Sequence, residues 1–371
     1  MSAKNPIDLK EYHPKTLLVG VYTPYNKIKN MKAYFNEFLS LVNTLGLKYD
    51  QTIFLKLRHV DKANFLTRGK LKELIELCDK EKFEEVIFSE SLIPLQERNL
   101  EEFLNCDVWD REKLILEIFR ESAHTAEGKI QVEMAEIEYL KTRLAGKGVE
   151  LAQQAGFVGG RGPGETSKEV IRRHLAKKFR QAKKKLEILK KSREVQRKRR
   201  LKNQIPLICL IGYTNAGKSS LLNLLTKSHI LVEDKLFATL DTTTRELFIQ
   251  GEKIGLISDT VGFISQLPHD LIEAFKSTLD ELKYADLLLH VVDVSNPTWQ
   301  DQIKIVNETL KEIGVKQKTL LVFNKIDKLS RKEIKNLEEE FDSYKPHVKI
   351  HTKSKDGIED LISFFKKYKF K

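Results

Sequence analysis

Apolar runs and helical periodicities alternate along the first part of the chain. The runs TLLVGVY, QTIFLKL and EEVIFSE are strand candidates, because short continuous apolar stretches are typical of buried strands. Between them, MKAYFNEFLSLVNTLG and GKLKELIELCDK carry apolar residues at helical spacing. Strands that alternate with helices favour a parallel sheet. The pattern predicts an N-terminal α/β domain of nucleotide-binding-like organisation over residues 1–110.

Two segments with apolar residues at helical spacing follow this domain, and each such row of apolar residues is called a seam below. In the first, Ile130, Ile137 and Leu144 recur at heptad spacing. In the second, the apolar residues are spaced three or four apart: Ile171, Leu175, Phe179, Ala182, Leu186 and Leu189. A glycine-rich segment, GFVGGRGPGET at 156–166, connects the two seams. The pattern predicts a long antiparallel helical hairpin over residues 111–200.

The stretch IGYTNAGKSSLLN, residues 211–223, carries the clearest chemistry of the chain. Gly212, four further residues and then Gly217-Lys218-Ser219 give the spacing of a phosphate-binding loop. Its glycines let successive N–H groups point at phosphate oxygens, while the lysine reaches the β- and γ-phosphates and the serine hydroxyl binds Mg²⁺. A strand-like PLICLI precedes the loop and a helix-like SSLLNLLT follows it. This context argues against a chance match, and the helix N-terminus adds attraction for anions.

Two further segments select the nucleotide. LISDTVGF places Asp259 and Gly262 after an apolar strand, where the carboxylate acts on Mg²⁺ through its water shell and the glycine N–H approaches the γ-phosphate. LLVFNKID places an Asn-Lys-x-Asp segment, 324–327, after another strand. The Asp327 carboxylate can accept two hydrogen bonds from guanine N1 and N2, which adenine cannot supply. The order of motifs predicts a P-loop GTPase domain over residues 201–371, with a mostly parallel sheet and helices on both faces.

A threonine-rich segment between these motifs, FATLDTTTRE, reads as a flexible switch. A plain β-hairpin is the alternative for any one of its threonines. Phe263 follows Gly262 at a position where many regulatory GTPases carry a glutamine that orients the attacking water. A phenyl ring cannot hydrogen-bond to water, and Gln266 lies three residues too far along. We predict slow intrinsic hydrolysis, stimulated when a partner orders the switches.

The whole set resembles the translation-factor-like GTPase class. Within that class, FATLD followed by TTR, DTVGFI and the string GGRGPGET resemble the HflX family of ribosome-associated GTPases, and the resemblance covers nearly the whole chain. It implies that Thr239 joins Ser219 on Mg²⁺ and that Asn215 helps to hold a monovalent cation, K⁺. It also implies that HTKSKDG is the guanine-supporting loop, acting through Thr352 and Lys353.

The tip of the predicted hairpin carries the most specific family string outside the GTPase domain. In the family, this tip enters the large ribosomal subunit near the peptidyl-transferase centre. The resemblance therefore implies a ribosome-binding tip made of Gly159, Gly160, Arg161, Gly162, Pro163, Gly164 and Glu165. On composition alone, an ordinary flexible turn is the alternative.

The N-terminal domain departs from the family pattern at one informative place. The family commonly has a glycine-x-Gly-Lys stretch where this chain has Thr67-Arg68-Gly69-Lys70. Some members bind ATP through this part, and we do not predict ATP binding here.

The motifs and the resemblance together define a candidate GTP site. The catalytic candidates are Lys218, Thr239 and Gly262, and the metal ligands are Ser219 and Thr239. The residues assigned to the nucleotide are Gly212, Tyr213, Thr214, Asn215, Ala216, Gly217, Lys218, Ser219, Ser220, Phe237, Ala238, Thr239, Leu240, Asp241, Asp259, Thr260, Val261, Gly262, Asn324, Lys325, Ile326, Asp327, Thr352 and Lys353.

The positive charge of the chain is concentrated in one segment and indicates a polyanionic partner. The chain of 371 residues has a net charge of +12. Between residues 168 and 202, 17 Lys and Arg stand against 3 Glu, so this segment carries +14 and the remainder is close to neutral. Such a segment is expected to bind a phosphate backbone with an affinity that falls as salt rises. A solvated helix face or a linker is the alternative.

Composition also bounds the compartment. The three cysteines are scattered without metal or disulfide spacing. The opening MSAKNPIDLKEYHPKT has no apolar stretch, and no run of about 18 apolar residues exists to cross a membrane. We expect a cytoplasmic protein and a monomer; peripheral membrane association is not required.

These observations predict a Mg²⁺-dependent GTPase that binds the large ribosomal subunit and its RNA and splits or recycles ribosomes, with hydrolysis of GTP to GDP stimulated by the ribosome. One alternative is a ribosome-assembly or tRNA-linked GTPase. Such a chain is expected to carry a KH module with a G-x-x-G loop, or a catalytic cysteine, and neither is found. The other alternative is a nucleotide-gated RNA-binding protein without a splitting role.

Overall fold

Buried apolar strands form two separate sheets, each with its own hydrophobic core. The structure, a computed structural model, describes residues 13–26, 28–144, 167–226, 235–237, 240, 242–268, 271, 273–275 and 279–368. The chain divides into two units. One holds the described residues up to Tyr25 together with Leu45–Leu114, and the other holds Asn26–Thr44 together with Ile115–Lys371.

The smaller unit is built on a four-stranded parallel sheet. Its strands are β1 (Thr16–Tyr22), β2 (Gln51–Lys56), β3 (Glu85–Phe88) and β4 (Asp107–Trp109). They run in the order β2-β1-β3-β4, and every neighbouring pair is parallel. Helices α2 (Arg68–Glu81) and α3 (Pro94–Leu104) contribute Leu74 and Leu100 to the core. The three predicted strands and the parallel arrangement are confirmed, whereas β4 was missed because three residues are too few to give a period.

The larger unit begins with helix α1 (Met31–Thr44), which buries Tyr34, Phe35, Phe38, Leu41 and Val42. Helix α4 (Arg111–Ser122) precedes the hairpin helices. Because α1 belongs to this unit, the division of the chain by contacts places part of residues 1–110 beside the C-terminal part. The domain boundaries at 110 and 200 stay a prediction.

Helices α5 (Ala126–Arg143) and α6 (Ser167–Lys202) pack along the two predicted seams. Their shared cluster contains Ile137, Leu144, Ile171 and Leu175, with Phe179 against it. Lys141 lies over the Phe179 ring at 4.1 Å. Glu127, earlier in α5, forms an ion pair of 2.9 Å with Arg193, later in α6, so the two helices run antiparallel. The connecting segment 156–166 lies outside the described residues.

A six-stranded sheet forms the rest of the larger unit. The strands are β5 (Leu207–Gly212), β6 (Thr243–Ile249), β7 (Glu252–Asp259), β8 (Leu287–Asp293), β9 (Thr319–Asn324) and β10 (His347–Lys349). Their order is β10-β9-β8-β5-β7-β6, and only β6 runs antiparallel to its neighbour. The helices are α7 (Lys218–Thr226), α8 (Trp299–Glu312), α9 (Arg331–Asp342) and α10 (Glu359–Lys367), with 3-10 turns at Asp280–Tyr284, Ile326–Lys328 and Lys355–Ile358.

Helices cover both faces of this sheet, as predicted. Leu221 of α7 and Leu361 of α10 share one core cluster with Val322 of β9. Trp299 of α8 shares another cluster with Phe323, the next residue of β9. Successive residues of a strand point to opposite faces, so the two clusters lie on opposite sides of the sheet.

The described helices contain no segment long and apolar enough to cross a membrane.

The end of α4 is held by an aromatic cluster, which generates a stability prediction. The Phe119 ring packs edge-on against Phe237 at 4.7 Å and Phe275 at 4.9 Å, and its side chain is fully buried. Phe119→Ala should lower the free energy of unfolding by about 3–5 kcal/mol, because it removes an aromatic side chain and leaves a cavity. Thermal unfolding of Phe119→Ala beside Phe103→Ala, where the phenylalanine is exposed, measures this. Equal shifts of Tm in the two variants would contradict the packing role.

Candidate nucleotide-binding site

The predicted site residues meet at the carboxyl edge of the six-stranded sheet. Strand β5 leads into the phosphate loop, β7 ends at Asp259, β8 at Asp293 and β9 at Asn324. Parallel strands in this order bring their carboxyl ends to one edge, where ligands bind in open α/β sheets. Segments far apart in the sequence therefore form one site.

Glycine is required in the phosphate loop by both backbone conformation and space. Gly212 has φ +144° and Gly217 has φ +95°, in the region that favours glycine. A Cβ on Gly217 would collide with the Asn324 amide nitrogen. That nitrogen donates to the Ala216 carbonyl at 2.8 Å, so Asn324 ties the loop to the end of β9. Asn324 is fully buried, and its Oδ1 has no hydrogen-bond partner among the described residues.

The Lys218 ammonium is buried and held by backbone carbonyls. It donates to the Gly212 carbonyl at 3.2 Å and to the Tyr213 carbonyl at 2.8 Å. Burial lowers the pKa of Lys218 to about 8, with the charge of Asp259 acting in the opposite direction. An ammonium has three protons, so this arrangement leaves donor capacity for a phosphate oxygen. A phosphate would also compensate the buried charge.

A hydroxyl and a carboxylate beside the loop fit Mg²⁺. The Ser219 hydroxyl donates to Asp259 Oδ2 at 2.7 Å, and the Thr260 N–H donates to Asp259 Oδ1 at 2.9 Å. Hydroxyl, carboxylate and water oxygens are the ligands that Mg²⁺ prefers. Thr260 directs its own hydroxyl to the Leu210 carbonyl at 2.6 Å, which fixes the end of β7 against β5.

The Asn-Lys-x-Asp segment is positioned by ion pairs. Lys325 donates to the Asn215 carbonyl at 2.8 Å and lies 2.7 Å from the Asp293 carboxylate. Lys353 lies 2.6 Å from the Asp327 carboxylate, so the HTKSKDG loop reaches the site. Burial favours a higher pKa for Asp327, but the hydrogen bond and charge of Lys353 outweigh it and hold the pKa below its usual value. An ionised Asp327 can only accept hydrogen bonds, as a guanine contact requires.

The segment after Asp259 pairs directly with the phosphate loop. The Thr214 N–H donates to the Phe263 carbonyl at 2.8 Å, and the Phe263 N–H donates to the Gly212 carbonyl at 3.1 Å. A Cβ added to Gly262 would lie 2.8 Å from Thr214 Cγ2 and 3.0 Å from Lys218 Nζ, so only glycine fits. The Phe263 side chain is buried.

The remaining predicted residues fall into three groups. Ser220 lies in the first turn of α7, Val261 is buried after β7, and Ile326 begins a 3-10 turn. Phe237 and Leu240 are buried. Ala238, Thr239, Asp241 and the tip residues 159–165 lie outside the described residues.

Three residues at the site were missed by sequence reasoning. His290 and Asp293 interrupt the apolar strand LLLHVVD, and these polar positions were a usable signal. Burial, with the nearby charge of Lys218, lowers the pKa of His290 to about 3, so its ring stays neutral. The third is Glu37 of α1, which hydrogen-bonds to the Tyr213 hydroxyl and for which the sequence carries no signal.

A phosphate loop, an Mg²⁺-suited Ser219–Asp259 pair and an Asn-Lys-x-Asp segment on a mostly parallel sheet define a P-loop GTPase. Family models match residues 32–120 as the N-terminal region of a GTP-binding GTPase, 122–200 as its middle region and 207–325 as a 50S ribosome-binding GTPase.

Curated relatives give the particular family. The GTPase HflX of Caldanaerobacter subterraneus subsp. tengcongensis is 44% identical over 91% of this chain and 77% of its own length. The GTPase HflX of Escherichia coli K12 is 43% identical over 85% of this chain and 74% of its own length. The crystal structure of SsGBP in complex with GDP aligns with a TM-score of 0.50 at 27% identity, covering 94% of this chain and 96% of that chain. The chain belongs to the HflX GTPase family, and its reaction is the hydrolysis of GTP.

The close approach of Gly217 to Asn324 yields a prediction with a matched control. Gly217→Ala combines a strained positive φ with a collision at the Asn324 amide. Gly251→Ala carries the same strain, at φ +91°, but its Cβ meets open space. In both variants the strain of a positive φ at an alanine should lower the free energy of unfolding by about 1–2 kcal/mol. Only Gly217→Ala should also lose binding of fluorescent GDP. Normal GDP affinity in Gly217→Ala would contradict the geometry.

Proposed function

We propose that the residues gathered at the sheet edge bind Mg²⁺·GTP in defined roles. The N–H groups of the phosphate loop and the Lys218 ammonium contact the β- and γ-phosphates. Ser219 and Thr239 bind the metal, and Asp259 acts through its water shell. Asp327 recognises guanine, supported by Thr352 and Lys353. The placement of Lys218 on two carbonyls, with Asp259 beside Ser219, is the observation that supports these roles.

Asn215 is the proposed contact for K⁺. It has φ +59° and lies exposed on the loop, and its amide side chain carries an oxygen of the kind that binds monovalent cations. The cation would add positive charge beside the phosphates and stabilise the charge that develops on the transferred phosphoryl group.

Hydrolysis is proposed to wait for a partner. The position that carries glutamine in many regulatory GTPases is Phe263, whose buried ring offers no hydrogen bond to water. Thr239 and Gly262 would be ordered around the γ-phosphate when the partner is bound. The partner would therefore contribute to catalysis by ordering the segments around Thr239 and Gly262, which belong to the protein itself.

The proposed partner is the large ribosomal subunit with its RNA. One family model that matches this chain is described as a 50S ribosome-binding GTPase. In helix α6, Arg197 lies 3.8 Å from the centre of the Tyr284 ring, and Arg200 donates to the Tyr284 carbonyl at 2.8 Å. Lys184, Lys185 and Lys191 are exposed on the same helix. Helix α6 thus uses arginines for internal contacts and presents lysines to a phosphate backbone.

We propose that the GTP-bound protein docks on the large subunit through the hairpin tip 159–165 and its basic helix, disfavours subunit joining and so splits or recycles ribosomes. Hydrolysis would release the factor as the GDP form. GTP can drive splitting only by as much as it favours the split-bound state. The protein is proposed to act as a cytoplasmic monomer with domains 1–110, 111–200 and 201–371.

Base recognition by Asp327 gives one test. Asp327→Asn should weaken GTP binding by at least roughly 100-fold, because an amide cannot accept from both guanine N1 and N2. The same variant should gain affinity for xanthosine triphosphate, because the C2 carbonyl of xanthine accepts a hydrogen bond from the amide that this substitution introduces. Competition binding with both nucleotides measures the change, and Asp360→Asn, an exposed carboxylate on α10, is the control. Unchanged GTP preference in Asp327→Asn would remove Asp327 from the guanine contact.

The exposed lysines of α6 give a second test. The triple variant Lys184→Ala/Lys185→Ala/Lys191→Ala should bind large subunits more weakly, with a log–log salt slope smaller by up to about three. Hydrolysis by the free protein should not change. Cosedimentation with the subunit at several salt concentrations measures the affinity and its salt slope. The control is Lys316→Ala/Lys332→Ala/Lys335→Ala, which removes the same charge elsewhere; equal losses in the two triples would contradict a specific role for α6.

A further inference from the structure

Helix α1 reaches both sides of the GTP site through one of its faces. The Tyr34 hydroxyl donates to Gln266 Oε1 at 3.3 Å, in the segment after Gly262. The Thr44 hydroxyl accepts from the Leu236 N–H at 3.1 Å, just before the FATLD segment. Positions 34, 37, 41 and 44 recur at spacings of three and four, which places them on one helical face. One helix therefore contacts both the residue before the FATLD segment and the segment after Gly262.

Glu37 lies on this face between the two contacts and joins the phosphate loop to the segment after Gly262. One carboxylate oxygen accepts a hydrogen bond from the Tyr213 hydroxyl, and the other accepts one from the Ser265 hydroxyl. The Tyr213 hydroxyl in turn accepts from the Ser265 N–H at 2.5 Å. The three groups form a closed ring of hydrogen bonds. Tyr213 and Ser265 are buried, and charge-assisted bonds of this kind are stronger than neutral ones.

This ring fixes the backbone next to Gly262. Ser265 is three residues beyond Gly262, and Phe263 between them is already paired with the phosphate loop at both its N–H and its carbonyl. Gly262 consequently lies against Lys218, as its lack of space for a Cβ shows. Lys218 and the Gly262 N–H are the two groups proposed to contact the γ-phosphate. Glu37 holds the two segments that carry them, through its hydrogen bonds with Tyr213 and Ser265.

We propose that Glu37 is a positioning residue for the γ-phosphate, acting through Tyr213 and Ser265, and that it raises the affinity for GTP relative to that for GDP. The inference rests on the proposed roles of Lys218 and Gly262. GDP shares the contacts of the phosphate loop with the β-phosphate but has no γ-phosphate, so an interaction that also places Gly262 changes the affinity for GTP more than the affinity for GDP. A ligand shifts a conformational equilibrium only by its differential affinity, and the γ-phosphate supplies that difference here.

The test compares the two nucleotides on the full chain. Glu37→Ala should weaken binding of a non-hydrolysable GTP analogue by roughly threefold to tenfold, the range expected for one or two hydrogen bonds lost from one state. Its GDP affinity should fall by a smaller factor, because GDP lacks the contact with Gly262. Ser265→Ala cuts the same link from the other side and should give the same ratio. The double variant should be no weaker than either single one, because both substitutions remove one interaction.

Two further variants separate positioning from packing. Glu37→Gln keeps the length and one acceptor of the side chain and should recover part of the GTP affinity. Asn43→Ala, at an exposed position of the same helix, should change neither nucleotide. Equal losses for GTP analogue and GDP in Glu37→Ala and Ser265→Ala would assign Glu37 a purely structural role and overturn the proposal. Unchanged or tighter GTP-analogue binding would also overturn it. Failure of the unmodified chain to bind either nucleotide would instead contradict the GTP site itself.

Discussion

A buried ammonium group is the constraint on which the GTP site depends. Lys218 is almost completely buried, and burial lowers its pKa to about 8 even though the charge of Asp259 acts in the opposite direction. The fold offsets the loss of water with the carbonyls of Gly212 and Tyr213 and with the charge of Asp259. Asp259 reaches Lys218 because β7 pairs with β5 in a parallel register, whereas the two carbonyls belong to the phosphate loop itself. The pairing of β5 with β7 thus brings the site together, and a bound phosphate would complete the compensation of the charge.

The same loop is also held by side chains from other segments of the chain. Asn324 ties it to β9, Lys325 ties it to Asp293, and Glu37 of α1 ties it to the segment after Gly262. Under the proposed role of Glu37, a change at the γ-phosphate would act on α1, a helix that precedes the GTPase sheet by more than a hundred residues. Such coupling would have a physical route, because α1 contacts both Leu236, before the FATLD segment, and Gln266, after Gly262.

The basic helix α6 combines two functions that charge counting does not separate. Its apolar seam packs on α5, and Arg193 connects Glu127 of α5 to the Thr242 hydroxyl at 3.4 Å. Part of its positive charge is therefore structural. The exposed lysines are the ones proposed to contact a polyanion, and a partner bound there would act on a helix that also contacts Thr242, the residue after the FATLD segment.

The sequence predicted most of the fold and the outline of the GTP site, for identifiable reasons. Continuous apolar strands and a strict glycine-lysine spacing are local signals, and they placed β1, β2, β3 and the phosphate loop. Strand β4 is too short to have a period, and α1 gives no hint in its own sequence that it belongs to the larger unit. Glu37, His290 and Asp293 act through neighbours distant in the sequence. Such contacts depend on tertiary packing, which periodicity and spacing do not report.

Single-turnover GTP hydrolysis by the intact chain, alone and with large ribosomal subunits, tests the central claim most directly. We expect slow hydrolysis by the free protein, because Phe263, at the position that carries glutamine in many regulatory GTPases, cannot hydrogen-bond to the attacking water. With the subunit we expect acceleration by at least about tenfold, equivalent to a barrier lower by about 1.4 kcal/mol or more. Fast hydrolysis by the free protein, or a rate that large subunits leave unchanged, would contradict it.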